Sequence, residues 1–183
     1  SSKKYIMVFL GSLFYLYEFF IRVSPSVMTQ DLMAHFGVAA GQLSLMSAAF
    51  FYAYMPMQVV AGLLGDRFGP RKLLTAAAAM CGVMTCLFVL SPHLWVAGVA
   101  RFFMGLTASC AYIAPMILAS HWFDKRFFPM ISGSIQLLGS FGAYLAGAPL
   151  VMAMIQYPWT HILCAAGLVG LGLSVLIFLC VQR

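Results

Sequence analysis

The chain is 183 residues long, with 63% apolar residues, 8% charged residues and a formal net charge of +6. A water-soluble domain carries roughly 25% charged residues, so a soluble fold is excluded and the solvent for most of this surface is lipid. The ten Lys and Arg residues are scattered in twos and threes and form no basic face, which argues against a nucleic-acid partner.

The opening Ser1-Ser2-Lys3-Lys4 has no initiator Met, which suggests a trimmed start. The apolar run from Tyr5 to Val23 is too long for a signal-peptide core and lacks a small-residue cleavage site, so it predicts a retained helix. A helix rising about 1.5 Å per residue needs roughly 20 apolar residues to cross the hydrocarbon core. By that measure six spans are expected, at about 5–27, 42–63, 73–91, 94–120, 127–152 and 159–181, in an all-α membrane bundle. Between them lie short breaks: Asp31 to Gly41, Gly65 to Lys72, Ser91-Pro92-His93, His121 to Arg126, and Gln156-Tyr157-Pro158. Connections this short thread the spans up and down. No soluble domain is expected before or after them.

Pro25, Pro56, Pro115 and Pro149 are expected to bend or end four helices. Gly139, Ala143 and Gly147 recur at i+4 on the fifth span, a small-residue stripe that predicts a packing seam. The five cysteines (Cys81, Cys86, Cys110, Cys164 and Cys180) all fall in apolar runs. Without a CxxC pair or a Cys/His spacing that suits a metal, they read as packing residues, and no metal or cofactor is expected.

Orientation follows from the basic residues. Lys3, Lys4, Arg67, Arg71, Lys72, Lys125, Arg126 and Arg183 fall at one set of span ends and none falls at the other. By the positive-inside rule both termini are cytoplasmic, as expected for a bacterial inner-membrane protein.

The most specific string is Gly62-Leu63-Leu64-Gly65-Asp66-Arg67-Phe68-Gly69-Pro70-Arg71-Lys72. Gly62 and Gly65 remove side chains where the second span meets a neighbour, and Gly69 permits positive φ in a tight turn. Asp66 stands beside three basic residues, able to pair with them and to cap a helix N-terminus. The whole string closely resembles the cytoplasmic signature loop of the major facilitator superfamily, at the position where that family has it. The resemblance implies that Asp66 docks against the opposite half of a twelve-helix transporter, and that Arg67 and Arg71 belong to a charge network that breaks on inward opening. Arg101, Gly105 and Ser109 at i+4 spacing on the fourth span resemble a second pattern of the family. Trp122, Phe123 and Arg126 ahead of a Gly/Ser-rich span resemble its organic-anion and phosphate-ester symporter branches. The antiporter signature would place Gly-Pro and then a Gly pair on the fifth span. Here Ala143 follows Gly142 and Gly147-Ala148-Pro149 comes late, a departure from drug/proton antiport. By this resemblance the chain is the amino-terminal half of the fold, partnered by a missing second half or by a second copy of itself.

Charges inside a membrane cost about 2.5–3.5 kcal/mol each on insertion scales and need a reason. Glu18 and Arg22 are at i, i+4 on the first span, with Gly11 and Tyr15 on the same stripe. Glu18 lies roughly 20 Å from the basic end of its span, and Arg101 roughly 10 Å from the opposite end of the fourth. In the resembled family the first and fourth spans line the central cavity, which would let these charges meet. Two guanidiniums against one carboxylate leave one positive charge, and the Arg fork suits a carboxylate or phosphate, so a small organic anion is the expected substrate class. Glu18 is the candidate proton carrier. Tyr15, Tyr52, Tyr112 and Gln136 are candidate polar cavity-liners; Tyr112 comes eleven residues after Arg101 and shares its face. His35, His93, His121 and His161, with Trp95, Trp122 and Trp159, fall in loops or at span ends, as an interfacial belt would have them.

The function this supports is secondary transport by alternating access, coupled to a proton or another ion. The competing readings are a drug or metabolite efflux antiporter and a non-transporting receptor or assembly subunit. An intramembrane serine protease would need Gly-x-Ser-Gly; Ser132-Gly133 lacks the first Gly and His161 lies at a span end, so no enzyme is expected.

Overall fold

The computed structural model describes residues 2–181 and contains helices and connections only, with no strand among the described residues. Lipid offers the backbone no hydrogen-bond partners, and an α-helix satisfies its own. Six helical segments are long and apolar enough to cross a membrane: Ser2–Val27, Ala40–Phe68, Pro70–Leu90, Leu94–Trp122, Lys125–Gln156 and Trp159–Cys180, spans 1 to 6. Span 1 is helix α1 (Ser2–Val23) closed by a 3-10 turn (Ser24–Val27). Helices α3 (Ala40–Phe68) and α4 (Pro70–Leu90) are spans 2 and 3. Span 4 is α5 (Leu94–Ala108) followed by α6 (Cys110–Trp122); span 5 is α7 (Phe128–Leu145) followed by α8 (Ala148–Gln156); span 6 is α9 (Trp159–Cys180).

The break from Asp31 to Gly41 is only partly a loop. Helix α2 (Thr29–Phe36) occupies most of it and ends on Gly37, whose φ of 63° makes a left-handed cap. Met28 and Leu32, one turn apart, are fully buried and pin α2 to the core at that end. The His35 ring lies 3.0 Å from the Ser91 carbonyl and edge-on to Trp159, so α2 ties three connections together.

The prolines act less uniformly than expected. Pro25 opens the 3-10 turn and Pro149 stands in the first turn of α8, both where a missing N–H costs nothing. Pro56 and Pro115 lie inside α3 and α6 without interrupting them. Span 4 breaks instead at Ser109, whose hydroxyl donates back to the Leu106 carbonyl.

Spans 1 and 4 are the interior of the bundle, with 56% and 61% of their most apolar stretch buried; spans 2 and 5 are outermost at 22% each. The spans meet in pairs through glycines. A Cβ on Gly105 of span 4 would collide with the Phe50 carbonyl of span 2. One on Gly82 of span 3 would come within 2.8 Å of the Gly167 carbonyl of span 6. Between spans 1 and 5 the seam differs from the expected stripe. Gly139 faces Tyr15 and Phe19, and Gly142 rather than Ala143 meets the Leu16 carbonyl. Ala146 continues the buried row, whereas Gly147 has only its own turn beside it. The α-helical period of 3.6 makes the seam step by three and then four, which a strict i+4 reading misses.

One end of the bundle gathers the described basic residues other than Arg22 and Arg101. The Lys4 ammonium lies 4.8 Å from the Phe123 ring, and Arg71 donates to the Phe178 carbonyl from Nε (3.1 Å) and Nη2 (2.6 Å). Those contacts set the start of span 1 beside the end of span 4, and the start of span 3 beside the end of span 6. Arg183, counted with this set, lies outside the described residues.

Gly142→Leu is expected to force spans 1 and 5 apart. An overpacked site typically costs about 1–3 kcal/mol, read as a lower midpoint of thermal unfolding in detergent. Ala143→Leu, one position away and only half-buried, should leave that midpoint near wild type.

Candidate functional site

The interior of the bundle holds the charges that the first and fourth spans bring in. Glu18 and Arg101 are 1% and 2% exposed, and the Arg22 side chain is 14% exposed. On α1 the i, i+4 spacing lets Arg22 Nε donate to Glu18 Oε1 at 2.8 Å. Arg101 reaches across from α5 to the end of α1. Its Nη1 donates to the Ile21 carbonyl at 3.2 Å and its Nη2 lies 3.5 Å from the Arg22 carbonyl. These are carbonyls of the last helical turn, short of intrahelical partners, and a buried cation there also meets the negative end of the helix dipole.

Aromatic rings complete the enclosure. The Arg101 guanidinium sits 4.7 Å from the Phe50 ring, and that of Arg22 sits 4.5 Å from Phe19, 4.5 Å from Tyr54 and 5.5 Å from Phe50. A desolvated cation–π contact contributes about 2 kcal/mol, which offsets part of the cost of burying two cations with one carboxylate. Three buried polar atoms of this centre find no partner among the described residues: Glu18 Oε2, Arg22 Nη2 and Arg101 Nε. The formal sum is one positive charge with hydrogen-bonding edges to spare.

Towards the basic end a polar group adjoins this centre. The Tyr15 hydroxyl donates to Gln136 Oε1 at 3.0 Å, its ring lies 5.6 Å from that of Tyr112, and the Tyr112 hydroxyl bonds Ser132. Phe19 links the two groups, edge-on to Tyr15 at 4.9 Å and under the Arg22 guanidinium. Residues 15, 18, 19 and 22 follow the helical period, so one stripe of α1 presents the whole arrangement.

Of the residues singled out from sequence, Tyr15, Glu18, Arg22, Arg101, Tyr112 and Gln136 fall in or beside this interior. Tyr52 does not: it is 73% exposed, about 200° round the helix from Tyr54. Sequence reasoning named Tyr52 rather than Tyr54 on span 2 and passed over Phe50 and Phe19, which lie against the two arginines. The signal was present in the apolar positions 43, 46, 50 and 53, whose spacing marks the inner face of α3. Tyr54 flanks that face.

The signature loop also departs from its reading. Gly69 has φ of 83°, and a Cβ on Gly65 would collide with Ile117 of span 4, but one on Gly62 would meet open space. Asp66 is exposed and forms no ion pair among the described residues, with Arg67, Arg71 and Lys72 included. It caps no helix either, since α4 starts from Gly69 without a side-chain cap. Arg71 is committed to the Phe178 carbonyl instead. The loop and the end of span 4 enclose a cavity of about 790 Å³, with Asp66, Arg67, Lys72, Ser120 and His121 among its walls.

A six-span helical bundle, paired through glycines and carrying a buried Arg–Glu–Arg centre between its inner spans, is the fold of an integral membrane protein. The chain belongs to the Major Facilitator Superfamily, whose family model matches residues 8–183. It is similar to the probable sulfoacetate transporter SauU of Cupriavidus necator, 29% identical over 90% of this chain and 38% of that protein. The probable galactarate/D-glucarate transporter GarP of Escherichia coli is 25% identical over 85% of this chain and 36% of its own length. The voltage-gated purine nucleotide uniporter of Homo sapiens is 28% identical over 80% of this chain and 35% of its own. The fold matches a crystal structure of a bacterial homologue of the human lysosomal transporter Spinster, in an inward-facing, unoccupied conformation. The TM-score is 0.86 at 13% identity, over 98% of this chain and 43% of that one. This chain thus spans well under half the length of each of these relatives.

Removing one partner of a buried pair costs about 3–5 kcal/mol because the other charge is left uncompensated. Arg22→Ala is therefore expected to lower the yield of folded protein, and adding Glu18→Gln to restore most of it. Size-exclusion profiles of the single and double variants check this; a double variant no better than the single would show that the Glu18 charge is not the cause.

Proposed function

We propose that residues 1–183 form the amino-terminal six-helix half of an alternating-access carrier for a small organic anion, completed by a second half outside this chain. The basic end, with both termini of this half, faces the cytoplasm, by the positive-inside rule. The observation that carries the reading is the buried centre with one excess positive charge, in which Arg22 Nη2 has no acceptor among the described residues. Arg101 directs both terminal nitrogens at the end of α1, leaving only Nε without a partner, and acts as a positioning residue. Arg22, which bonds Glu18 through Nε and keeps Nη2 without a partner among the described residues, is the residue that receives the anion. Tyr15, Tyr54, Tyr112 and Gln136 supply polar edges around it. Support also comes from the relatives, whose names specify sulfoacetate, galactarate or D-glucarate, and purine nucleotides, all anions.

Glu18 is the proton-coupling group in this reading. A carboxylate bonded to Arg22 competes with the substrate for the same guanidinium, so protonation of Glu18 and anion binding favour each other. The signature loop, with Asp66 free and exposed, meets the second half and sets which side is closed.

Uptake by the full-length protein in proteoliposomes, with sulfoacetate and glucarate as trial substrates, tests the proposal. A hydrogen bond to a charged group contributes about 1.5–3 kcal/mol, so Arg22→Lys, which keeps the charge and loses the fork, should cut uptake at least ~10-fold. Undiminished uptake would remove Arg22 from the site. Glu18→Gln should abolish accumulation driven by a proton gradient while exchange of labelled for unlabelled substrate persists. Accumulation that still follows the gradient would rule out the coupling role.

A further inference from the structure

A second cavity, of about 750 Å³, opens between the basic-end halves of spans 1 and 5, and nothing in the proposed transport cycle uses it. Its walls are apolar residues facing outward from the spans, among them Ile6 (51% exposed), Phe9 (53%) and Met130 (70%). It lies away from the anion centre. Ser132 and Gln136 of α7 turn towards Tyr112 and Tyr15, whereas Ser134, two residues on from Ser132 and about 200° round the helix, turns into the groove.

At the mouth of the groove Lys4 and one carboxylate, Asp124, belong to the lining, and Arg126 stands beside it. The Lys4 ammonium rests over the rings of Tyr5 (5.3 Å) and Phe123 (4.8 Å), and the Arg126 guanidinium lies 4.7 Å from the ring of Phe127; all three rings line the groove. Lys4 has no carboxylate partner among the described residues. Arg126 has Asp124 at 3.9 Å, a pair whose side chains are 76% and 77% exposed and so bind weakly. Lys3 and Lys125 add exposed charge beside them. An apolar slot parallel to the helices, closed at the interface by basic side chains on aromatic rings, matches the chemistry of one kind of molecule.

We propose that this groove binds an anionic phospholipid of the leaflet at the basic end of the bundle. The acyl chain lies along Phe9 and Met130, and the phosphate sits on Lys4 and Arg126. A zwitterionic lipid fills the slot but gains less from the rim. An occupied groove holds the starts of spans 1 and 5 together below the seam that Gly139 and Gly142 make, so the lipid stabilises this half of the protein from outside its transport path.

Native mass spectrometry of the full-length protein, titrated with phosphatidylglycerol or phosphatidylcholine, tests this. Wild type should retain phosphatidylglycerol in preference. The Lys4→Gln/Arg126→Gln variant should weaken its binding roughly 30-fold, at about one factor of five per basic residue removed. Ser134→Trp, which fills the slot and keeps the rim, should lose the same lipid; Ser134 is exposed, so the fold tolerates the change. Equal retention of both lipids, or unchanged binding by either variant, overturns the proposal. So does a Ser134→Cys variant that cross-links efficiently to a span outside residues 1–183, since protein would then cover the groove.

Discussion

One buried guanidinium joins the two interior spans. Arg101 crosses from span 4 to the last carbonyls of α1 and lays its face on Phe50 of span 2, so three helices share one side chain. In lipid no water can solvate a cation or the open end of a helix, and each supplies what the other lacks. The break after Val23, the position of Arg22 and the closeness of spans 2 and 4 all depend on that contact. Phe50 can lie under the guanidinium only because Gly105, one turn beyond Arg101, lets the backbone of span 2 come against span 4.

The two arginines consequently do different work, although the sequence presents them as equals. Arg101 is fully enclosed and held by backbone, which makes its position independent of any ligand. Arg22 is held by a carboxylate, a partner that gives way to a proton or a competing anion. A transport site needs both kinds of group: a rigid one to fix the frame and a releasable one to exchange partners. The same division appears at the basic end, where Arg71 is tied to the end of span 6 and Asp66 has no ion pair among the described residues.

Spans 2 and 5, the least buried, carry their apolar faces on the outside of this half. Met55, Val59 and Leu63 on α3 and Leu137, Phe141 and Tyr144 on α7 form exposed rows that lipid or a second bundle can cover equally well in energetic terms. The relatives are more than twice as long as the chain.

Composition and apolar run length alone determined that this is a six-span helical membrane protein, because the hydrocarbon thickness sets a length that no soluble segment needs to meet. The loop from Gly62 to Lys72 was likewise legible, since its glycines and charges follow one another along the chain. Glu18 and Arg22 share a face by helical spacing, so their pairing too is a local fact. Only tertiary structure decided the rest. That Arg101 caps α1, that Tyr54 and not Tyr52 faces Arg22, and that Gly142 and not Ala143 makes the seam all depend on the rotation of one helix against another. Rotation is set by many small contacts and by close approaches across spans far apart in sequence. In spans that are apolar on every side, such as α9, hydrophobic periodicity carries little of that information. Helix α2 was hidden for a related reason: it is held by Met28 and Leu32 against side chains of spans 2 to 6, a partnership that eight residues of its own cannot announce.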